Sequence, residues 1–547
     1  MTTGSQGPEG GPPTTAAGAV EEGGAADPSA HAPGADPSGA APGRIRFPVD
    51  LPDGPRTVRF DLGARPVPDA FLTALAAHLG SEGVVVGDDV LDEAGRDWWP
   101  LTAVWATQGR IPARPAAVAR PVDAEGVEAT VRLAAEHGVP LTPAAGRSGV
   151  CGGAVPVAGG VALDLTGLSG VVDVDDTSLR LRVLPGTFGD DLERDLGTYG
   201  VTLGHWPQSM AISTVGGWLA CRGAGQYSTR YGKIEDMVIG LEVVDGRGRR
   251  FRTGGHPRAA TGPDLSQVFV GSEGTLGVIT EATLRVRPRP AGSGWAAYRF
   301  DGFADGLDVC RRVLRRGATP AVLRLYDQPE STRQFTGAGF DGGGCLLLVL
   351  DEGDPEAIDW TLALIDQECR RTPGSAGQDR RLVGHWLEHR NDVSALGNVV
   401  QAGLVVDTIE VAGAWSILPR LYDDVTAAIG AVPGTLAATA HCSHAYLDGG
   451  CLYFTFAGAP GSEPSDKDHY YRAAFGAAMA ATLAAGGAIS HHHGIGLLRA
   501  PWMAAALGEE AFAVLADLKA TLDPAGVLNP GKLGLPSPFT PEGWAWS

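Results

Sequence analysis

Hydrophobic periodicity divides this chain of 547 residues into blocks of different texture. Between about residues 116 and 290, short strands alternate with helices. "DAEGVEATVRLAAEHGV" is apolar at helical spacing, with Asp123 placed as N-cap and Gly138 as stop. "PLTPA", "GVALDL" and "LRLRVLPG" predict strands, and "TFGDDLERDLGTYG" predicts a capped helix. "LEVVDGRGRRFRT" predicts a hairpin turning at Asp245-Gly246. "LGVITEATLRVRPRP" alternates as a strand until the prolines stop it. Past residue 291 come longer helices and strands such as "CLLLVL" and "GCLYFTF". The Ala-rich run at 473–490, "AAFGAAMAATLAAGGAIS", has nearly the length of a membrane span but is weakly hydrophobic. It predicts a buried helix ending at Gly486-Gly487.

Residues 1–43 hold no Lys or Arg and almost nothing large, so they predict a disordered tail. The net charge of −20 excludes a nucleic-acid surface and disfavours an anionic membrane face. Four of the 43 basic residues are lysine, a bias that fits a GC-rich bacterial genome. The seven cysteines are scattered, without a CxxC pair, which suits a reduced, cytoplasmic compartment. The N-terminus lacks a basic n-region and an apolar h-region, so no signal peptide is expected.

Four glycine-rich loops, 143–153, 213–217, 223–225 and 271–277, fall at strand ends. Glycine there lets backbone N–H groups approach an anion closely. Neither GxGxxG nor GxxxxGK[ST] occurs, so plain Rossmann and Walker readings fail. Four such loops in one mixed block point to a large ligand bearing a diphosphate.

"PAAGRSGVCGG", "GHWPQSMAISTVGGWLACRGAGQYSTRYGKIEDMV", "FVGSEGTLGVITEATLRVRP", "AISHHHGIG" and "LDPAGVLNPGKL" carry a resemblance. Together they resemble the FAD-binding fold of the vanillyl-alcohol-oxidase/PCMH superfamily, and within it the bacterial alkyldihydroxyacetonephosphate synthase (alkylglycerone-phosphate synthase) family. The resemblance runs from about residue 85 to 535. It implies an α+β fold: a PCMH-type FAD-binding domain of two subdomains plus an α/β cap domain. Residues 44–115 lead into the FAD domain at 116–290. The cap spans 291–490, an active-site loop and C-terminal return span 491–535, and 536–547 form a tail.

The resemblance places the pyrophosphate loop on Pro143, Ala144, Ala145, Gly146, Arg147, Ser148 and Gly149. Gln208, Ser209, Ser213, Thr214, Gly216 and Gly217 belong to a second flavin stretch, and Cys221, Arg222, Gly223 and Ala224 to a third. Glu273, Gly274, Thr275, Gly277 and Ile279 make the fourth. Arg147 replaces a glycine common in the family; it either adds charge to the diphosphate or points outward. No histidine occurs between His137 and His205, and Cys151 reads as a small buried thiol, so non-covalent FAD is expected.

The resemblance assigns the catalytic roles to Tyr453, Arg324, His491, His492 and His493. On an alternating strand Tyr453 and Thr455 share one face and Leu452, Phe454 and Phe456 the other, which sets the phenol apart for acid/base work. Arg324, flanked by Val322, Leu323 and Leu325, is expected to bind an anion or to form a structural ion pair. The family's phosphate-binding arginine falls on Leu396, counting back from Glu410, and Arg390 lies six residues too early. That puts a phosphorylated substrate in doubt. His441 and His444 make a His-x-x-His pair, but the HxGDGNxH pattern of the D-2-hydroxyacid dehydrogenases is absent and no metal is assigned. Consecutive histidines diverge, so His491–His493 do not all ligate one ion without outside partners.

The implied activity exchanges a carboxylate for an alcohol on a small carbonyl- or carboxylate-bearing substrate through a flavin N5 adduct. The alternative is FAD-linked oxidation of an alcohol or 2-hydroxy acid. No nucleic-acid partner and no transmembrane segment are expected; a homodimer is compatible with the sequence.

Overall fold

The computed structural model describes residues 47–60, 62, 66–393, 395–461 and 463–541. The tail expected at 1–43 lies outside the described residues, as do 542–547 of the closing tail.

The first sheet contains β1 (Val84–Val85), β2 (Ala117–Ala119), β3 (Leu141–Ala144) and β4 (Val161–Asp164), in the order β1-β2-β4-β3. β4 pairs parallel with both neighbours and is buried throughout, the pattern of a strand covered on both faces. Helix α1 (Ala124–His137) connects β2 to β3. Its caps are those read from the sequence: Asp123 accepts the Gly126 N–H at 2.8 Å, and Gly138 takes the left-handed conformation at φ 63°.

The second sheet holds β5 (Val171–Asp175), β6 (Arg180–Val183), β7 (Val238–Asp245), β8 (Arg250–Gly254) and β9 (Gly277–Arg285), in the order β8-β7-β9-β6-β5. The β7–β8 hairpin turns at Asp245, whose carboxylate accepts the N–H groups of Arg247 and Arg249, each at 3.0 Å. Helix α2 (Gly189–Gly197) follows β6, but its N-cap Phe188 offers no side-chain cap. Helix α3 (Val215–Cys221) is capped by Thr214.

A third sheet follows with seven strands: β10 (Gly292–Phe300), β11 (Val322–Tyr326), β12 (Cys345–Gly353), β13 (Ala376–Gln378), β14 (Val405–Ala414), β15 (Thr435–Ala445) and β16 (Gly449–Gly458). Their order is β13-β10-β12-β11-β15-β16-β14, antiparallel throughout. Helices α4 (Phe303–Arg315), α5 (Pro355–Arg370) and α6 (Leu418–Gly430) pack on it. Strands buried on both faces read as unbroken apolar runs, and β12 is one: Leu347 and Val349 join the core under those helices, while Leu346, Leu348 and Leu350 join Leu181, Trp206 and Leu219 of the preceding domain. One continuous core therefore fixes this sheet against the earlier part of the chain.

Helix α7 (Pro464–Ala485) is the Ala-rich helix, with Tyr471, Phe475 and Met479 buried, and it ends at Gly486 in the left-handed conformation. Among the described residues no helix is long and apolar enough to cross a membrane. Past α7, Ala488 bridges Ala412 on the edge strand β14. The chain then crosses back, and Leu497 N–H donates to Cys151 O at 2.8 Å. After helix α8 (Glu509–Leu522), Asn529 N–H donates to Leu141 O at 2.7 Å beside β3. The histidine stretch is the loop between the Ala488 bridge and Leu497.

Candidate active site

Tyr453 on β16 lies between His441 on β15 and Glu410 on β14 in register. Leu452, Phe454 and Phe456 are fully buried on one face, while Tyr453 and Thr455 are half-buried on the other. Residues three apart on a regular strand point to opposite faces, but a register shift between Cys442 and His444 turns both His441 and His444 to the site. The His441 ring stacks on Tyr453 at 4.9 Å, and the phenol donates to Thr408 Oγ1 at 3.0 Å.

Arg324 on β11 donates to Tyr326 Oη at 2.7 Å and also to His441 Nε2. The His441 proton is thereby placed on Nδ1, which faces Glu330 Oε1 at 3.2 Å. Burial, then the neighbouring Arg324 charge, hold His441 down to about 4, so the ring is neutral at pH 7. Among the described residues Arg324 pairs with no carboxylate, so the structural ion pair is not what holds it.

The histidine turn completes the wall. His492 stacks on Tyr453 at 6.0 Å, and His493 meets it edge-on at 5.6 Å. His491 and His492 face one another through their Nδ1 atoms at 3.0 Å, and His444 stacks on His491 at 4.9 Å. Ser228 holds His444 Nδ1 at 2.7 Å and also meets the Tyr446 phenol. The three consecutive histidines do not converge on one point. His444 is an outside partner for two of them: one donor atom each from His444, His491 and His492 lies within 4.8 Å of the others. Burial holds His491 at about 3 and His493 at about 4. The row offers neutral bases.

Two buried carboxylates hold this turn by its backbone, Glu410 on β14 and Glu273 in the loop before β9. Glu410 accepts the N–H groups of His491, His492 and His493 at 3.2, 2.9 and 2.6 Å, with Ser490 Oγ at 2.9 Å. Its charge is met by both terminal nitrogens of the buried Arg499. Burial pushes the Glu410 pKa up, but Arg499 and the hydrogen bonds to the turn drive it far below the usual carboxylate range. Glu273 accepts Ile495 and Gly496 N–H at 2.5 and 2.8 Å, so its carboxylate serves the histidine turn. Lys233 Nζ donates to His491 O at 2.6 Å. Glu410 entered the sequence reading only as a counting mark, yet an acid on the alternating strand "LVVDTIE" is itself a signal.

The glycine loops meet below this wall. A side chain at Gly146 would strike Ile212 O at 2.2 Å, and Gly274 lies against Pro143. Glu273 N–H donates to Ala220 O at 2.9 Å, and Gly494 stands against Cys221. Thr214 caps α3, Ser213 Oγ accepts the Trp218 indole at 2.7 Å, and Gly216 packs on Pro185. Ser209 O accepts the N–H of Ile212, Gln208 is exposed, and Gly217 has open space beyond the cap. Arg222 reaches Glu235 at 3.4 Å, Gly223 N–H returns to Trp218 O, Ala224 is buried and Thr275 donates to Ser272 O. Gly277 and Ile279 lie inside β9, where Gly277 abuts Val243 and Phe269 and Ile279 joins the sheet core.

Two observations fit a flavin dinucleotide here. Among the described residues the N–H groups of Gly146, Arg147, Ser148, Gly149 and Val150 donate to no protein group, and nothing stands within 4 Å of a side chain built on Gly149. Arg147 takes the left-handed φ of 53° within this run, a conformation that anion nests use. His205, absent from the sequence reading of the site, is 1% exposed, yet neither ring nitrogen has a partner. A buried imidazole without partners calls for a ligand. Arg147 itself adopts neither expected orientation: its guanidinium turns inward to Ala94 O at 2.9 Å. Cys151 is buried with its pKa pushed up by desolvation, the behaviour of an inert thiol.

Leu396 packs on the core, and its neighbour Gly397 abuts Pro48 O. Arg390 instead lies over the rings of Tyr227, Trp386 and Trp206 at 5.1, 5.7 and 6.0 Å. Arg324 approaches the same Trp386 ring at 5.8 Å. The cation that sequence counting set aside thus shares a wall with the assigned arginine.

The fold and site define an FAD-dependent enzyme, and the comparisons agree. Residues 115–254 match the model "FAD binding domain", and residues 289–533 match "FAD linked oxidases, C-terminal domain". The chain is 32% identical over 432 residues to the uncharacterized FAD-linked oxidoreductase YgcU of Escherichia coli (strain K12), covering 77% of this chain and 89% of that one. It is 30% identical over 464 residues to the alkyldihydroxyacetonephosphate synthase of Dictyostelium discoideum, covering 78% and 74%. A solved alkyldihydroxyacetonephosphate synthase superposes with a TM-score of 0.70 at 23% identity, over 86% of each chain. This chain belongs to the FAD-linked oxidase family, and its relatives include both FAD-linked oxidoreductases and alkyldihydroxyacetonephosphate synthases.

Proposed function

We propose that this FAD-dependent enzyme acts on a small substrate with an anionic group beside the reacting carbon, and exchanges a carboxylate there for an alcohol. The observation that carries the reading is the Tyr453 phenol between the rings of His441 and His492. Protons move most readily between groups held in contact and out of bulk water. Bound FAD supplies the electrophile or electron sink for the substrate carbon. A neutral histidine accepts the proton of the incoming alcohol, and the protonated Tyr453 phenol relays a proton to the departing carboxylate. Arg324 and Arg390 hold the anion. With Leu396 in the core, recognition falls on these two guanidinium groups.

A second reading, oxidation of an alcohol or 2-hydroxy acid, draws support from the E. coli relative, described as an oxidoreductase. The same neutral bases deprotonate a substrate hydroxyl.

Anaerobic mixing with candidate substrates separates the two. Lasting flavin bleaching without an acceptor means net redox chemistry and overturns the exchange reading. Turnover with oxidised flavin restored supports it. In either case Tyr453→Phe is expected to lower kcat by about 10²–10⁴-fold while the bound-flavin spectrum stays unchanged.

A further inference from the structure

We propose that His385, Glu388 and His389 form a solvent-facing site for one late first-row divalent cation, and that the bound ion braces the helical turn delivering Arg390. All three lie on the helix Arg381–His389. The spacings i, i+3 and i+4 bring side chains to one face of a helix. One donor atom from each lies within 4.8 Å of the others. The centroids of the two imidazole rings stand 4.4 Å apart, with the rings tilted by 38°.

A second observation points to a ligand. His389 Nδ1 lies 2.8 Å from the backbone oxygen of His385, one turn back. A carbonyl accepts only, so Nδ1 carries the proton and Nε2 presents its lone pair. Metal-ligating histidines use this bond to fix tautomer and ring orientation. The His385 ring is held as well, meeting the buried Phe335 edge-on at 5.9 Å. Among the described residues Glu388 makes no ion pair or hydrogen bond, so its charge is free for a cation. Glu388 and His389 are exposed and His385 is half-buried, which leaves room for waters to complete the coordination.

Donor chemistry selects the ion. Two imidazoles and one carboxylate suit zinc, nickel or copper(II), whereas calcium and magnesium call for more oxygen ligands. Position supplies the consequence. The inner face of the same helix carries the buried Trp386, and its C-cap is Arg390. A cation tying His385 to His389 spans that last turn from outside. The inference stands on this geometry alone and is independent of the reaction proposed above.

Titration of the FAD-loaded enzyme with nickel chloride in a non-chelating buffer tests it. A single-site isotherm is expected. In the His385→Asn/His389→Asn double variant the affinity falls at least about tenfold, while Tm in EDTA is unchanged. Glu388→Gln, a single exposed change, is expected to weaken binding too. Nickel is expected to slow amide exchange at 385–390 in the parent enzyme and to leave the double variant unaffected. Absence of nickel uptake by the parent overturns the proposal. So does an isotherm that both variants retain unchanged, which binding confined to the buried His444–His491–His492 group would give.

Discussion

Glu410 Oε1 accepts the backbone N–H of His492 at 2.9 Å, so a carboxylate on β14 sets where the histidine turn stands. The same group takes the amides on either side and the guanidinium of Arg499. Removing one partner of a buried ion pair leaves the other charge uncompensated. Glu410→Gln is therefore expected to destabilise the protein by about 3–5 kcal/mol and to lower kcat. A melting temperature equal to that of the parent in the FAD-loaded variant would refute the clamp.

The neutral histidine row sets a pH expectation. His441 and His493 are each held down to about 4, chiefly by burial. Bases of this kind lose function as pH falls through the folded pKa, here near 4, and not through the ordinary histidine value near 6.5. The profile of kcat/KM is expected to stay level from pH 7.5 to 5. A rate falling tenfold per unit below pH 6.5 would assign the proton transfer to an unperturbed group.

Arg390 stands on three aromatic rings without a carboxylate partner among the described residues. A charge-assisted hydrogen bond contributes about 1.5–3 kcal/mol, so Arg390→Met is expected to raise KM for an anionic substrate about ten- to hundredfold. FAD content is expected to be unchanged. Equal KM values in the two enzymes would remove Arg390 from substrate recognition.

The cofactor is expected to be held without a covalent bond. Precipitation of the holoenzyme in acid should leave all of the flavin in the supernatant. Colour or fluorescence retained by the washed, denatured chain would mean a covalent link, and peptide mapping would then locate it.

Much of the secondary structure was legible in the sequence because its causes are local. Asp123 and Gly138 cap α1 as read, and Gly486 ends the Ala-rich helix as read. The phenol of Tyr453 was set apart from Leu452 and Phe454 by strand alternation alone. Arg147 was misread because its inward turn depends on carbonyls at Ala94 and Ala154, remote or across a loop. His205 was passed over because an orphaned imidazole is recognised only once its surroundings are known. The approach of Arg390 and Arg324 to one Trp386 ring was not legible because counting along the chain measures register and not reach.

The sequence by itself determined the element pattern, the glycine loops and the chemical inventory of the site, since propensity, capping and alternation act within a few residues. Only the tertiary structure decided which groups meet. The bulge between Cys442 and His444 brings two histidines to one face, and a continuous core presses the third sheet onto the second. Glu410 and Glu273, 137 positions apart in the numbering, close on one turn because buried amides need acceptors and buried carboxylates need donors.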